Sequence, residues 1–361
     1  MSKIYNLRVP HTEQATPPNK LRENLPLSPN SQSFIDRTRH EVRQILDGID
    51  SRLLLIVGPC SIHDITAAKE YATKLQQLAQ TVSDSFLILM RAHFEKPRTN
   101  LGWTGLVNDP HLNGSYDINT GLSVTRKLLL DLNQMEIPIA CEILDPCMGE
   151  YLGDLISWGC IGARTAESQT HRQLASSLQS PIAFKNNTDG NVNIAIQGIN
   201  VASNSHSYLG INDTGQSTII RTKGNSHAHL VLRGADTHTN YDPASINSAL
   251  EKLQLANQHP RLLIDCAHGN SEKLHEKQPK VFQSVINQII EGNPSIRGLI
   301  FESFLESGNQ KLSLSPLRYG VSITDPCLDW TTTEQLVIWA HHKIQQELVK
   351  ECETVKIESE V

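Results

Sequence analysis

Short continuous apolar runs alternate along the chain with longer stretches in which apolar residues recur at intervals of three and four. The runs are LLLIVG (53–58), FLILM (86–90), IPIAC (137–141), CIGA (160–163), PIAF (181–184), AHLVL (228–232), RLLIDCA (261–267) and IRGLIF (296–301). A continuous run between polar turns suits a strand buried on both faces, because both of its alternating sets of side chains then meet apolar neighbours. The spacing between runs predicts helices at about 64–80, 121–135, 147–157, 167–178, 189–202, 243–257 and 279–291, with a closing helix near 331–350. Strands alternating with helices imply a parallel sheet. Eight such units predict an α/β fold, a (β/α)8 TIM barrel.

Three segments depart from the rhythm. Residues 32–48 carry helical spacing through Phe34, Ile35, Val42, Ile45 and Leu46, with Gly48 as the stop. This helix precedes the first strand, so it either plugs the barrel bottom or serves a subunit contact. Residues 92–119 form a long loop after the second strand, and 204–224 read as a β-hairpin insertion around Asn212-Asp213-Thr214-Gly215, before the sixth strand. Asp64 and Asp189 are the expected N-caps of their helices. The expected organisation is an N-terminal arm and helix (1–50), the arm proper being the Pro-, Asn- and Thr-rich 1–30, then a catalytic barrel (51–350) and a charged tail (351–361).

Composition narrows the class. A hydrophobic content of 39%, a charged content of 19% and a net charge of −6 describe an ordinary soluble domain. There is no extended basic tract, which argues against nucleic acid and anionic membrane as partners, and no run approaches a membrane span. The seven cysteines (60, 141, 147, 160, 266, 327, 352) are odd in number and lack CxxC pairs. Several lie within apolar runs, as buried thiols do, so a reducing, cytoplasmic setting is expected.

The runs lead into residues able to do chemistry: Cys60, Arg91, Glu142, Arg164, Lys185, Arg233, His268 and Glu302. In a barrel these share one face. With Lys96 and Arg98 of the long loop, six cations gather there in a net-acidic chain. Burying a cation without a partner costs several kcal/mol, whereas each charge-assisted hydrogen bond returns about 1.5–3 kcal/mol. A small, multiply anionic metabolite is therefore the expected ligand, and pairing of all six with internal carboxylates is the weaker alternative. Cys60, His268 and Glu302 close the first, seventh and eighth strands, which become neighbours when a barrel shuts; Asp325 follows in SITDPC. This mixed donor set suits a divalent metal ion (Mn2+, Fe2+, Co2+ or Zn2+) acting as a Lewis acid. His63, His93 and His171 belong to no pattern and read as loop or surface residues.

The motifs GPCSIHD (58–64), FEKPRT (94–99), GARTAESQTHR (162–172), FKN (184–186) with TDG (188–190), DCAHGNS (265–271), GNQ (308–310) and YGVSITDPC (319–327) resemble type I 3-deoxy-D-arabino-heptulosonate 7-phosphate (DAHP) synthase. The similarity runs from about residue 30 to 345. It implies condensation of phosphoenolpyruvate with erythrose 4-phosphate, the first step of aromatic amino-acid synthesis. By matching motifs it implies Cys60, His268, Glu302 and Asp325 as metal ligands. Arg91, Arg164, Lys185 and Arg233 would hold phosphoenolpyruvate; Lys96, Arg98 and Thr99 would take erythrose 4-phosphate, with Lys96 near the reacting end. Glu142 is placed to orient or deprotonate the attacking water.

The chain also departs from the family. It reads GWTG, with Thr104 where Lys is usual, and it has Asn187 for Gly and His93 for a common Tyr. A related condensation on another aldose phosphate, or a weakened paralogue acting as an effector-binding partner, are the alternatives Thr104 raises. In the family the arm and hairpin resemble an allosteric apparatus that binds an aromatic amino acid at a subunit interface, which implies a homodimer or homotetramer. Gly210 and Pro146 match the tyrosine-sensitive pattern, so tyrosine is the expected effector. Cys327, two residues after Asp325, is expected to approach Cys60 and to pair with it on oxidation once the metal is lost.

Overall fold

A computed structural model describes residues 8–9, 11–98, 100–312 and 316–359. The strands are β1 (Leu53–Gly58), β2 (Phe86–Arg91), β3 (Ile139–Glu142), β4 (Trp158–Ile161), β5 (Ile182–Lys185), β6 (Ser207–Ile211), β7 (Ser217–Arg221), β8 (His229–Leu232), β9 (Leu262–Asp265) and β10 (Ile296–Glu302). All but β6 and β7 close a parallel barrel in the order β1-β10-β9-β8-β5-β4-β3-β2. The registers Leu54–Gly298 and Leu54–Leu87 seal β1 between β10 and β2. The expected (β/α)8 barrel is the observed one, and the hairpin β6–β7 stands before the sixth barrel strand, β8.

Alternate residues of each strand serve two different cores. Leu54, Ile56, Leu89, Ala140, Trp158, Ala183, Val231, Leu263 and Ile300 turn inward, whereas Leu55, Val57, Ile88 and Met90 pack outward with the helical layer. Val42, Ile45 and Leu46 belong to the inward group, so the helix Pro29–Asp47 plugs the barrel bottom. Each fully buried side chain of this size contributes about 1.5–3 kcal/mol, enough to hold the plug without a subunit partner. Ser28 caps its start, and Gly48 ends it with φ 76°, where any side chain would run into Arg297.

Local details differ from the sequence reading. The arm contains a short helix, Pro18–Asn24, docked through buried Leu21. The fifth connection's helix is Val192–Ala202, capped by Asn191 rather than Asp189; Asp189 instead accepts the Asn191 N–H at 2.7 Å. Asp64 does cap its helix. The stretch expected to be helical over 147–157 is broken into Met148–Leu152 and a single 3-10 turn, Gly153–Leu155. The closing helix spans Trp330–Ser359. Among the described residues no helix is long and apolar enough to cross a membrane.

Candidate active site

The C-terminal ends of the barrel strands open into a cavity of about 640 Å³. Arg91, Lys96, Arg98, Glu142, Arg164, Lys185, Arg233, His268, Glu302 and Asp325 line it, so every described member of the expected substrate and metal sets except Cys60 faces one space. Cys60 lies fully buried beneath it. Thr99 lies outside the described residues.

Arg91, Lys96 and Lys185 are paired inside the protein. Arg91 donates to Glu302 Oε1 at 2.8 Å and to the carbonyls of Pro59 and Cys60. Lys185 meets Asp265 Oδ2 at 2.9 Å, and Lys96 meets Asp325 Oδ2 at 2.9 Å. Burial alone would lower Lys185, but Asp265 beside it holds it above the usual lysine value. Asp265 is held well below the carboxylate range against its own burial, by His268 and Lys185. Burial likewise pulls Arg233 down, and Arg164 adds to that as a like charge.

Cys60, Glu302 and Asp325 place their ligand atoms within 4.8 Å of one another. His268 joins them from one side, with Nε2 at 3.7 Å from Glu302 Oε1 and Nδ1 at 2.9 Å from Asp265 Oδ2. Its backbone is left-handed, φ 55°, a strained state for a non-glycine residue that recurs at functional sites. Gln278 fixes Glu302 from behind by accepting its N–H and donating to its carbonyl. The Lys96 ammonium reaches into the donor group, 2.8 Å from Cys60 Sγ. Burial, with Glu302 adding to it, pushes the Cys60 thiol up to about 12. These donors thus already gather a positive charge, and a metal cation would ionise the thiol that burial keeps protonated. Cys60 donates its N–H to Cys327 Sγ at 3.4 Å, and both thiols are free.

A second buried group, His93, Glu142 and Cys160, lies in the same wall with ligand atoms within 4.8 Å of one another. His93 and His63 are buried, not surface residues, and His171 is wired to its surroundings through both ring nitrogens. Asp265, Gln278 and Glu95 escaped the sequence reading. Asp265 had a signal, since a carboxylate inside an apolar run must have a charged partner. Pro146 is exposed in the loop after β3, and the space a side chain at Gly210 would need is filled by Ile220. Around them the arm helix is tied to both elements: Arg22 donates to the Glu150 carbonyl at 2.6 Å, and Asn19 N–H to the Asp213 carbonyl at 2.7 Å.

The DAHP synthetase I family model matches residues 24–337. The chain belongs to that family. Within it, a Tyr-sensitive phospho-2-dehydro-3-deoxyheptonate aldolase of Salmonella typhimurium is 45% identical over 347 residues, 96% of this chain and 97% of the relative. A Trp-sensitive one of Escherichia coli K12 is 46% identical over 338 residues, 93% of this chain and 97% of the relative. A solved phospho-2-dehydro-3-deoxyheptonate aldolase of Francisella tularensis SCHU S4 superposes with a TM-score of 0.91 at 41% identity, covering 93% of this chain and 98% of that one. The family implies a divalent metal, and the Cys60–Glu302–Asp325 donor group with His268 beside it fits one.

Proposed function

We propose that this chain condenses phosphoenolpyruvate with D-erythrose 4-phosphate and water, giving DAHP and phosphate, the first step of the shikimate route to aromatic amino acids. The observation that carries the reading is one cavity that holds both a cationic wall and a metal-fit donor group. Cys60, His268, Glu302 and Asp325 would hold Mn2+, Fe2+, Co2+ or Zn2+. When bound, the ion would polarise the aldehyde oxygen of erythrose 4-phosphate.

The rest follows from the chain's own residues. Arg91, Arg164, Lys185 and Arg233 bind the phosphate and carboxylate of phosphoenolpyruvate, with guanidinium forks suited to both groups. Lys96, Arg98 and Thr99 take erythrose 4-phosphate and set its reacting end against carbon 3 of the enol. Glu142, at the end of β3 and facing the cavity, orients the water that adds at carbon 2 and accepts its proton. The Lys185–Asp265–His268 chain keeps a buried lysine charged for the phosphate and fixes the imidazole ring.

For regulation, we take an aromatic amino acid, with tyrosine favoured, to bind where the arm helix, the segment around Pro146 and the hairpin with Gly210 meet, in a homodimer or homotetramer. The arm's bonds to Glu150 and Asp213 support that placement. Cys60, Cys141, Cys147, Cys160, Cys266 and Cys327 are free thiols, which fits a reducing, cytoplasmic setting. One assay tests the catalytic reading: phosphate release from phosphoenolpyruvate with Mn2+ present, with and without erythrose 4-phosphate. Release should require both the metal and the aldose. Release that needs another aldose phosphate, favoured by Thr104 in the place of a usual cation, or none at all, refutes it.

A further inference from the structure

Beyond Ile143, whose N–H still bonds to the Cys160 carbonyl, the loop after β3 leaves the barrel ladder. Its next backbone groups must find other partners. Two side chains supply them. Glu95, only 3% exposed, accepts the Leu144 N–H on Oε2 and the Asp145 N–H on Oε1, each at 3.0 Å. His171 Nε2 lies 2.7 Å from the Leu144 carbonyl; a carbonyl only accepts, so this nitrogen carries the ring proton. The other ring nitrogen is 2.8 Å from Ser168 Oγ, the cap of the helix Gln169–Ala175.

These bonds join three separate loops. Glu95 precedes Lys96 on the loop after β2, Leu144 follows Glu142 after β3, and Ser168 follows Arg164 after β4. The far side of the first loop is pressed against Glu95 as well. Lys96 donates its N–H to the Thr104 carbonyl at 3.0 Å, and at Gly105, with φ 118°, a Cβ would stand 2.6 Å from Glu95 Cα. A carboxylate is the one side chain of this length that offers two acceptors to two adjacent backbone N–H groups. Burying it is costly, so a purely packing role would be served better by an apolar residue.

We propose that Glu95, assisted by His171, is a positioning residue for the second substrate: it clamps the Lys96–Arg98 segment to the loop of Glu142 and, through Leu144, to that of Arg164. The inference rests on the proposed reaction for its kinetic consequence and stands independently of it as a mechanical link. Glu95→Gln presents an amide NH2 to one of the two backbone donors and so breaks half the clamp. Its expected signature is a split. KM for erythrose 4-phosphate rises about tenfold, the equivalent of one lost buried hydrogen bond, whereas KM for phosphoenolpyruvate moves less than about twofold.

His171→Ala should shift the same ratio by about threefold, and His171→Gln, which keeps a donor, should restore it. Amide hydrogen exchange reads the clamp itself. In Glu95→Gln, residues 143–147 and 96–104 should both lose protection, while the strands keep theirs. Equal rises in both KM values, or a fall in kcat alone, overturn the proposal, as does faster exchange in 143–147 without any change in 96–104. If Glu95→Gln does not fold, the His171 pair decides by the same ratio. If the wild type shows no turnover, the proposed reaction fails, and exchange in 96–104 alone decides whether the clamp exists.

Discussion

The two ends of the barrel are buried alike and use polar groups in opposite ways. At the bottom, Trp158 donates through Nε1 to His229 Nε2 at 3.0 Å, and His229 Nδ1 meets the His227 carbonyl at 2.8 Å. Burial pulls His229 down to about 3, so it stays neutral, with every ring atom satisfied and the Pro29–Asp47 helix closing the end. At the top, Arg91–Glu302 and Lys185–Asp265 are ion pairs with side chains no more than 3% exposed. A stable core needs only that polar groups be paired; a reacting site needs charge that can be redirected onto a ligand. The bottom therefore solves a packing problem, and the top holds its charges in pairs that a polyanion and a metal can reorganise.

The largest effect that would sharpen this contrast is on acid stability. His229 is neutral in both states above pH 6.5; below it the unfolded chain gains a proton that the fold refuses down to about pH 3. Stability present above pH 6.5 is thus lost as pH falls through that window, by roughly 4–5 kcal/mol in the limit. His229→Gln should flatten that loss in urea unfolding measured from pH 7 to 4 while leaving kcat near the wild-type value. An unchanged pH slope would mean that the bottom is wetter than its packing indicates.

Next in size is the top. Lys185→Met leaves the Asp265 carboxylate without its lysine, and removing one partner of a buried pair costs about 3–5 kcal/mol. Adding Asp265→Asn should recover much of that stability in the same unfolding experiment, without recovering turnover. If the double variant regains activity, Lys185 serves the fold alone and the contrast between the ends collapses. The smallest effect belongs to the long loop. Thr104→Lys should lower KM for phosphoenolpyruvate by about two- to fivefold, the scale of one added exposed charge interaction. A higher KM would show that the site has adapted to Thr.

The fold was legible because parallel strands covered on both sides announce themselves as runs, and the residues following those runs share a face by geometry. Cys60, His268 and Glu302 could be grouped from strand order alone. Asp265 is the last residue of β9, and its place inside an apolar run drew attention to the strand rather than to the charged partner such a carboxylate requires. Glu95 was hidden for a deeper reason: its partners are backbone N–H groups of Leu144 and Asp145, and a backbone partner leaves no mark in side-chain sequence. Which of the cations pair internally was not legible, because Glu302 and Asp325 read as metal ligands and Asp265 as strand. The cap at Asn191 rather than Asp189 is a two-residue matter, decided by where the TDG turn ends. The helix Pro18–Asn24 is too short for a periodic signal and gains its stability from docking.

The hairpin of β6 and β7 bonds in register only to itself, while the barrel ladder passes directly from β5 to β8. Its backbone is thus a closed account that the catalytic sheet never draws on. Lineages of this family can lengthen, recolour or replace the hairpin without disturbing a single barrel bond. On the effector placement proposed above, the response to an effector can change at the hairpin while the bonds of the barrel sheet stay as they are.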